Sequence, residues 1–136
     1  LGYEAAGLVD RALDCYTDAI KLYDRLGDLE CKESVASAIA HVYADMRDHT
    51  MSAAWFDYEL ELLPREPADG ERRAAVQASR ERQMRLGHVS SSLLAAARGR
   101  VAAALAAHGS RPGARPVGDA LSGVGSAIDR VLGTTR

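Results

Sequence analysis

Asp45 and His49 stand four residues apart, a spacing that on one helix would bring a carboxylate and an imidazole to the same metal ion. A metal site needs at least three ligands and hydrogen-bonded support behind them, and no third ligand lies close in sequence. Cys15 would act as a nucleophile only beside a histidine and an orienting group. Next to Tyr16 on an apolar stripe, it reads instead as a small packing residue. The carboxylate pairs Glu59/Glu61 and Asp10/Asp14 would suit acid–base work if a cleft separated their pKa values. On the outer side of a helix they are solubilising charges. No GxGxxG follows a strand pattern and no GxxxxGK occurs; Gly118, Gly123 and Gly125 are too loosely spaced to cradle a phosphate. The expectation is a chain without catalysis, cofactor or metal.

One charge feature has functional promise. Arg72, Arg73, Arg80, Arg82 and Arg85 fall within one segment, and Arg98 and Arg100 follow on the next. The default for such a run is a solvated helix face. The sharper reading is contact with the acidic half of a neighbouring subunit or partner. The acidic material sits elsewhere in the same chain: residues 1–64 carry thirteen Asp/Glu against five Lys/Arg, whereas residues 65–136 carry six against twelve, all arginine. The formal net charge of −2 averages these two halves. Direct nucleic-acid contact is not expected, because the Arg-rich segment lacks aromatic platforms for bases.

These side chains must be carried by helices. Twenty-five of the 136 residues are alanine, and only 5% are aromatic, so a core must be filled by small aliphatic groups on strong helix formers. No uncharged apolar run reaches the ~18 residues of a membrane span, and no charged-then-apolar leader is present. Two cysteines are too few for a disulfide scaffold. Val9, Ala12, Leu13, Tyr16, Ala19, Ile20 and Tyr23 recur at helical spacing, with Asp10, Asp14, Asp18, Lys21 and Arg25 opposite. Gly27-Asp28 breaks that segment. Val35, Ile39, Val42 and Met46 form the next stripe, and Trp55, Tyr58 and Leu62 the one after. Residues 64–70 and 109–118 are Pro/Gly-rich breakers, and Asp119 can cap a weak last helix bearing Leu121, Val124, Ile128, Val131 and Leu132.

The stripes repeat. At an offset of 40, Tyr3 falls on Tyr43, Gly7 on Arg47, Ala12 on Ser52, Tyr16 on Phe56 and Ile20 on Leu60, and Gly87 follows Arg47 by the same distance. The run from Gly7 through Ala12, Tyr16 and Ala19 resembles the tetratricopeptide motif, in which a glycine closes the first helix and an alanine, an aromatic and a second alanine mark the packing face of the next. Ala36, Ile39, Ala40 and Tyr43, then Ser52, Phe56, Glu59, Leu60 and Pro64, form a second unit. In it, Arg47, Ser52 and Glu59 depart from the motif's glycine and alanines. The fold expected is an all-α, tetratricopeptide-type helix-hairpin solenoid, a fragment of a longer array. Residues 1–64 hold two units, the first truncated. Residues 65–108 hold a degenerate third hairpin, and residues 109–136 a linker with a short weak helix.

Asp45-Met46-Arg47-Asp48-His49 and Tyr58-Glu59-Leu60-Glu61-Leu62 resemble the last repeats of Tonsoku-like proteins, a likeness extending over roughly residues 5–112. It implies a nuclear scaffold for fork-associated repair by homologous recombination, working with a large partner subunit; a nuclear setting would keep Cys15 and Cys31 reduced. The repeats of LGN-type spindle-orientation scaffolds, with forty-residue units and an LGD linker like Leu26-Gly27-Asp28, are the alternative and imply a cytoplasmic adaptor. Under either reading the first helix of each hairpin lines the inner surface. Glu4, Ser37, His41 and Asp45 are then the contact candidates for a protein partner, with Arg72, Arg73 and Arg80 beside them.

Overall fold

A computed structural model describes the backbone of residues 2–107 and the side chains of residues 7–107; the linker and weak helix expected over 109–136 lie outside the described residues. The described chain is all-helical: α1 (Gly2–Leu26), α2 (Leu29–Asp45), α3 (His49–Leu62), a 3-10 turn at Pro67–Asp69, α4 (Gly70–Leu86) and α5 (Ser91–Ala106). None of these helices is long and apolar enough to cross a membrane.

Three of the four connections between the helices share one construction. The amides of Gly27 and Asp28 return to the carbonyls of Asp24 and Tyr23; Arg47 and Asp48 return to Ala44 and Tyr43; His88 and Val89 return to Arg85 and Met84. Each turn needs one residue in the left-handed region to point these amides backwards. Gly27, Arg47 and His88 occupy it, with φ of 72°, 64° and 48°. A side-chain cap then opens the next helix: Asp28 accepts from the Cys31 amide, Asp48 from Met51 and Ser90 from Leu93. Each cap contributes about 1 kcal/mol.

This geometry corrects the forty-residue register. Gly7 does not close a helix, because α1 runs through it without a break. Arg47 is the counterpart of Gly27 and His88, not of Gly7 and Gly87. Helix α2 spans 29–45 and α4 spans 70–86, an offset of 41 at both ends. At that offset Val35 and Val42 fall on Val76 and Gln83, the buried residues of α4. Met46, expected on the α2 stripe, follows the end of the helix and is exposed.

Helix α3 is the centre of the bundle. It packs against α2, α4 and α5, while α1 lies on α2 and touches α5. Both α4 and α5 lean chiefly on α3, so the third helix–turn–helix is held by its shared neighbour more than by its own pairing. The run Ser52–Phe56 is buried throughout, with Ile20, Ala36, Ile39 and Ala40 on one side and Val76, Leu94, Ala97 and Val101 on the others. Small residues let the helix backbones close on the bulky Trp55 and Phe56, which occupy much of the core volume.

Gly87 holds the α4–α5 turn against the start of α3. A β-carbon there would meet His49 Cβ at 2.6 Å and Val89 Cγ2 at 3.0 Å. Gly87→Ala therefore destabilises the chain by roughly 1–3 kcal/mol, read as a lowered urea midpoint. Arg47→Gly has the opposite sign, raising stability by about 0.5–1 kcal/mol in the same assay, because glycine enters the left-handed region without a Cβ penalty.

Candidate functional site

The acidic and basic halves meet inside the chain. Asp57 on α3 receives Arg80 Nε from α4 at 2.5 Å and Arg98 Nε from α5 at 2.8 Å. Its side chain is only 11% exposed. One carboxylate thus ties α4 and α5 to the face of α3 they share. Arg73 donates to the carbonyls of Leu60 and Leu63, filling acceptors left open at the end of α3. Arg72 crosses to Glu33 on α2. Arg72, Arg80 and Arg98 thus pair with the acidic half of their own chain, where contact with a neighbouring subunit or partner was expected. Arg82 and Arg85 remain exposed.

Glu33 and Glu59 form an acid pair in the wall between α2, α3 and α4, at 3% and 2% exposure. The carboxyls approach within hydrogen-bonding reach of one another, and the Ser37 hydroxyl also reaches Glu59. Glu33 Oε2 and Glu59 Oε1 have no donor among the described residues. Burial, reinforced by the Glu33 carboxyl, pushes Glu59 up to about 8, while Arg72 and Ser37 pull the other way. Glu59 is thus not the solubilising charge expected of it; only Glu61 of that pair is exposed. The motif alignment carried a signal, because Glu59 and Ser52 stand where small buried residues belong. Ser52 is indeed fully buried, donating to the Ala40 carbonyl at 2.8 Å. Glu33 had no such mark.

The remaining candidates spread along α2. His41 and Asp45 are exposed and Ser37 is half-buried. His41 Nδ1 lies 2.8 Å from the Ser37 carbonyl. A carbonyl only accepts, so Nδ1 carries the proton and Nε2 of the neutral ring is left as an acceptor. The ring stacks edge-on against Phe56, with centroids 5.3 Å apart. Glu4 belongs to α1, but its side chain lies outside the described residues.

Asp45 and His49 are not on one helix: Asp45 ends α2, His49 begins α3, and the left-handed turn at Arg47 separates them. His49 Nδ1 instead faces Gln83 Oε1 of α4 at 2.6 Å. Among the described residues no group of three or more His, Cys, Asp or Glu is placed to hold a metal. Cys15 and Cys31 are free and half-buried, and the Asp28 carboxylate beside Cys31 pushes that thiol up, away from a reactive thiolate. A depression at the α1–α2 turn, lined by Tyr23, Asp24, Leu29 and Lys32, encloses about 180 Å3, below the range of small-molecule sites.

Compared with protein-family models, with curated proteins and with solved structures, the chain finds no match. Its function has to be argued from its own residues.

The Asp57 junction has a measurable consequence. Asp57→Ala leaves two guanidiniums facing each other across a largely buried gap and costs roughly 1–3 kcal/mol in denaturant unfolding. Arg98→Ala costs less than Arg80→Ala, because the Arg98 side chain is 52% exposed against 24%.

Proposed function

We propose that the chain is a segment of a tetratricopeptide-type solenoid and serves as a non-catalytic protein-interaction scaffold. The observation that carries this reading is the recurrence of one helix–turn unit. Helices α2 and α4 repeat at an offset of 41 and end in the same left-handed turn, at Arg47 and His88. Equivalent positions then carry exposed polar groups: His41 on α2 corresponds to Arg82 on α4, and both are exposed. A partner segment laid across the two helices meets an imidazole acceptor and the Asp45 carboxylate from one unit and a guanidinium from the next. This suits shallow, polar recognition of an extended or helical peptide.

The biological setting proposed is fork-associated repair by homologous recombination in the nucleus, with a large partner subunit. It rests on the likeness of Asp45–His49 and Tyr58–Leu62 to Tonsoku-like proteins. Part of that likeness has a local cause, since Arg47 and Asp48 serve the turn. Leu26-Gly27-Asp28, the linker shared with LGN-type repeats, builds the same kind of turn, so turn chemistry does not choose between the two settings.

Affinity capture with wild-type chain and with a His41→Ala/Asp45→Ala variant of unchanged circular dichroism tests both levels. The expected result is a captured set rich in replication-fork proteins, with at least one member weakened about tenfold or more in the variant, equivalent to ~1.4 kcal/mol. An identical set for both baits removes the α2 surface from the reading. A set of cortical and spindle proteins replaces the nuclear setting with the cytoplasmic one.

A further inference from the structure

We propose that Glu33, Glu59 and Arg72 form a proton-dependent latch that holds the start of α4 against α2 and loosens as the pH rises. Helix α4 packs along α3, and its charged link to α2 is Arg72 on Glu33. Arg72 is half-exposed, whereas both carboxyls are buried. With both acids ionised, two negative charges would sit in the helix wall against one partly hydrated positive charge. The two orphaned oxygens, Glu33 Oε2 and Glu59 Oε1, also lack a donor. A single proton held between the carboxyls meets both needs. It removes one charge and supplies the missing donor, leaving one carboxylate for Arg72.

The groups around Glu59 offer no other remedy. From α2 it faces Glu33 and the Ser37 hydroxyl, and from α4 it faces Arg72. Lys32, the cation preceding Glu33, turns to Asp24 at 2.6 Å. Arg73, beside Arg72, is committed to the carbonyls of Leu60 and Leu63. The cation from α5, Arg98, pairs with Asp57, roughly 200° around α3 from Glu59 at helical spacing. Extra negative charge at the pair is therefore relieved by letting water in, and α4 is the wall that must move.

The direction of the pH effect follows from the raised Glu59 value, about 8 in the closed structure against an ordinary 4.5. Closure is favoured by the protonated form. Its contribution is complete below about pH 4.5, declines about tenfold per pH unit above that, and is lost once the pH passes about 8.

Hydrogen exchange of the full chain between about pH 5.5 and 8.5, corrected for intrinsic exchange rates, reads the latch directly. Protection of residues 70–78 is expected to fall on the order of tenfold per pH unit and to level above about 8, while α1 keeps its protection. Glu59→Gln is expected to flatten that slope, since an amide supplies a permanent donor and no charge. Glu33→Gln provides the same readout should the first variant fail to fold. A flat wild-type profile overturns the proposal, as does equal loss over all helices or a wild-type slope in a folded glutamine variant.

Discussion

Helix α3 touches three other helices, so few of its positions can be left to water. That constraint organises the molecule. Ser52 to Phe56 are buried in succession, and in a helix enclosed so fully a polar atom without an internal partner is costly. Ser52 spends its hydroxyl on the Ala40 carbonyl, binding α3 to α2. Asp57 takes a guanidinium from each of the two helices that follow, binding α3 to α4 and α5. Glu59 reaches Glu33, and the open acceptors at the end of α3 receive Arg73. The polar residues of α3 thus act as its connections to each neighbour. The apolar residues supply burial that does not distinguish one arrangement of helices from another.

The electrical split along the chain acquires a meaning from this arrangement. An acidic N-terminal half and an arginine-rich C-terminal half suggest two surfaces for two partners, but Arg72, Arg80 and Arg98 return to Glu33 and Asp57. Charge complementarity at these points is part of the fold. The guanidinium is suited to the task because its planar set of donors can serve a carboxylate while its stem lies along an apolar helix face. His41 and Asp45 on α2 and Arg82 and Arg85 on α4 are exposed.

The turns show how much a local rule can specify. Asp28, Asp48 and Ser90 each accept an amide from the residue three positions on, and such caps are legible wherever an Asp or Ser precedes a helical stripe. The left-handed residue is legible when it is Gly27. When it is Arg47 or His88 the sequence gives no warning, and a glycine one position away, such as Gly87, attracts the assignment instead. Gly87 is required for another reason, the closeness of His49. The expected register set Gly7 and Gly87 opposite Arg47, whereas the left-handed position is shared by Gly27, Arg47 and His88.

Amino-acid order by itself determined the all-helical character, the approximate extent of α2 to α5 and the breaks at Gly27 and Pro64. These depend on groups within about four residues of one another, the reach of a helical hydrogen bond. Only the tertiary structure decided which charges lie inside. Glu33 and Glu61 look alike in sequence, yet one is buried and the other exposed. The difference comes from Arg72, 39 residues beyond Glu33, and from the helix that carries it. Likewise Asp57 becomes a junction through Arg98, 41 residues away. Whether burying a carboxylate is tolerable depends on what is packed against it, and distant segments supply that only once α4 and α5 have closed on α3.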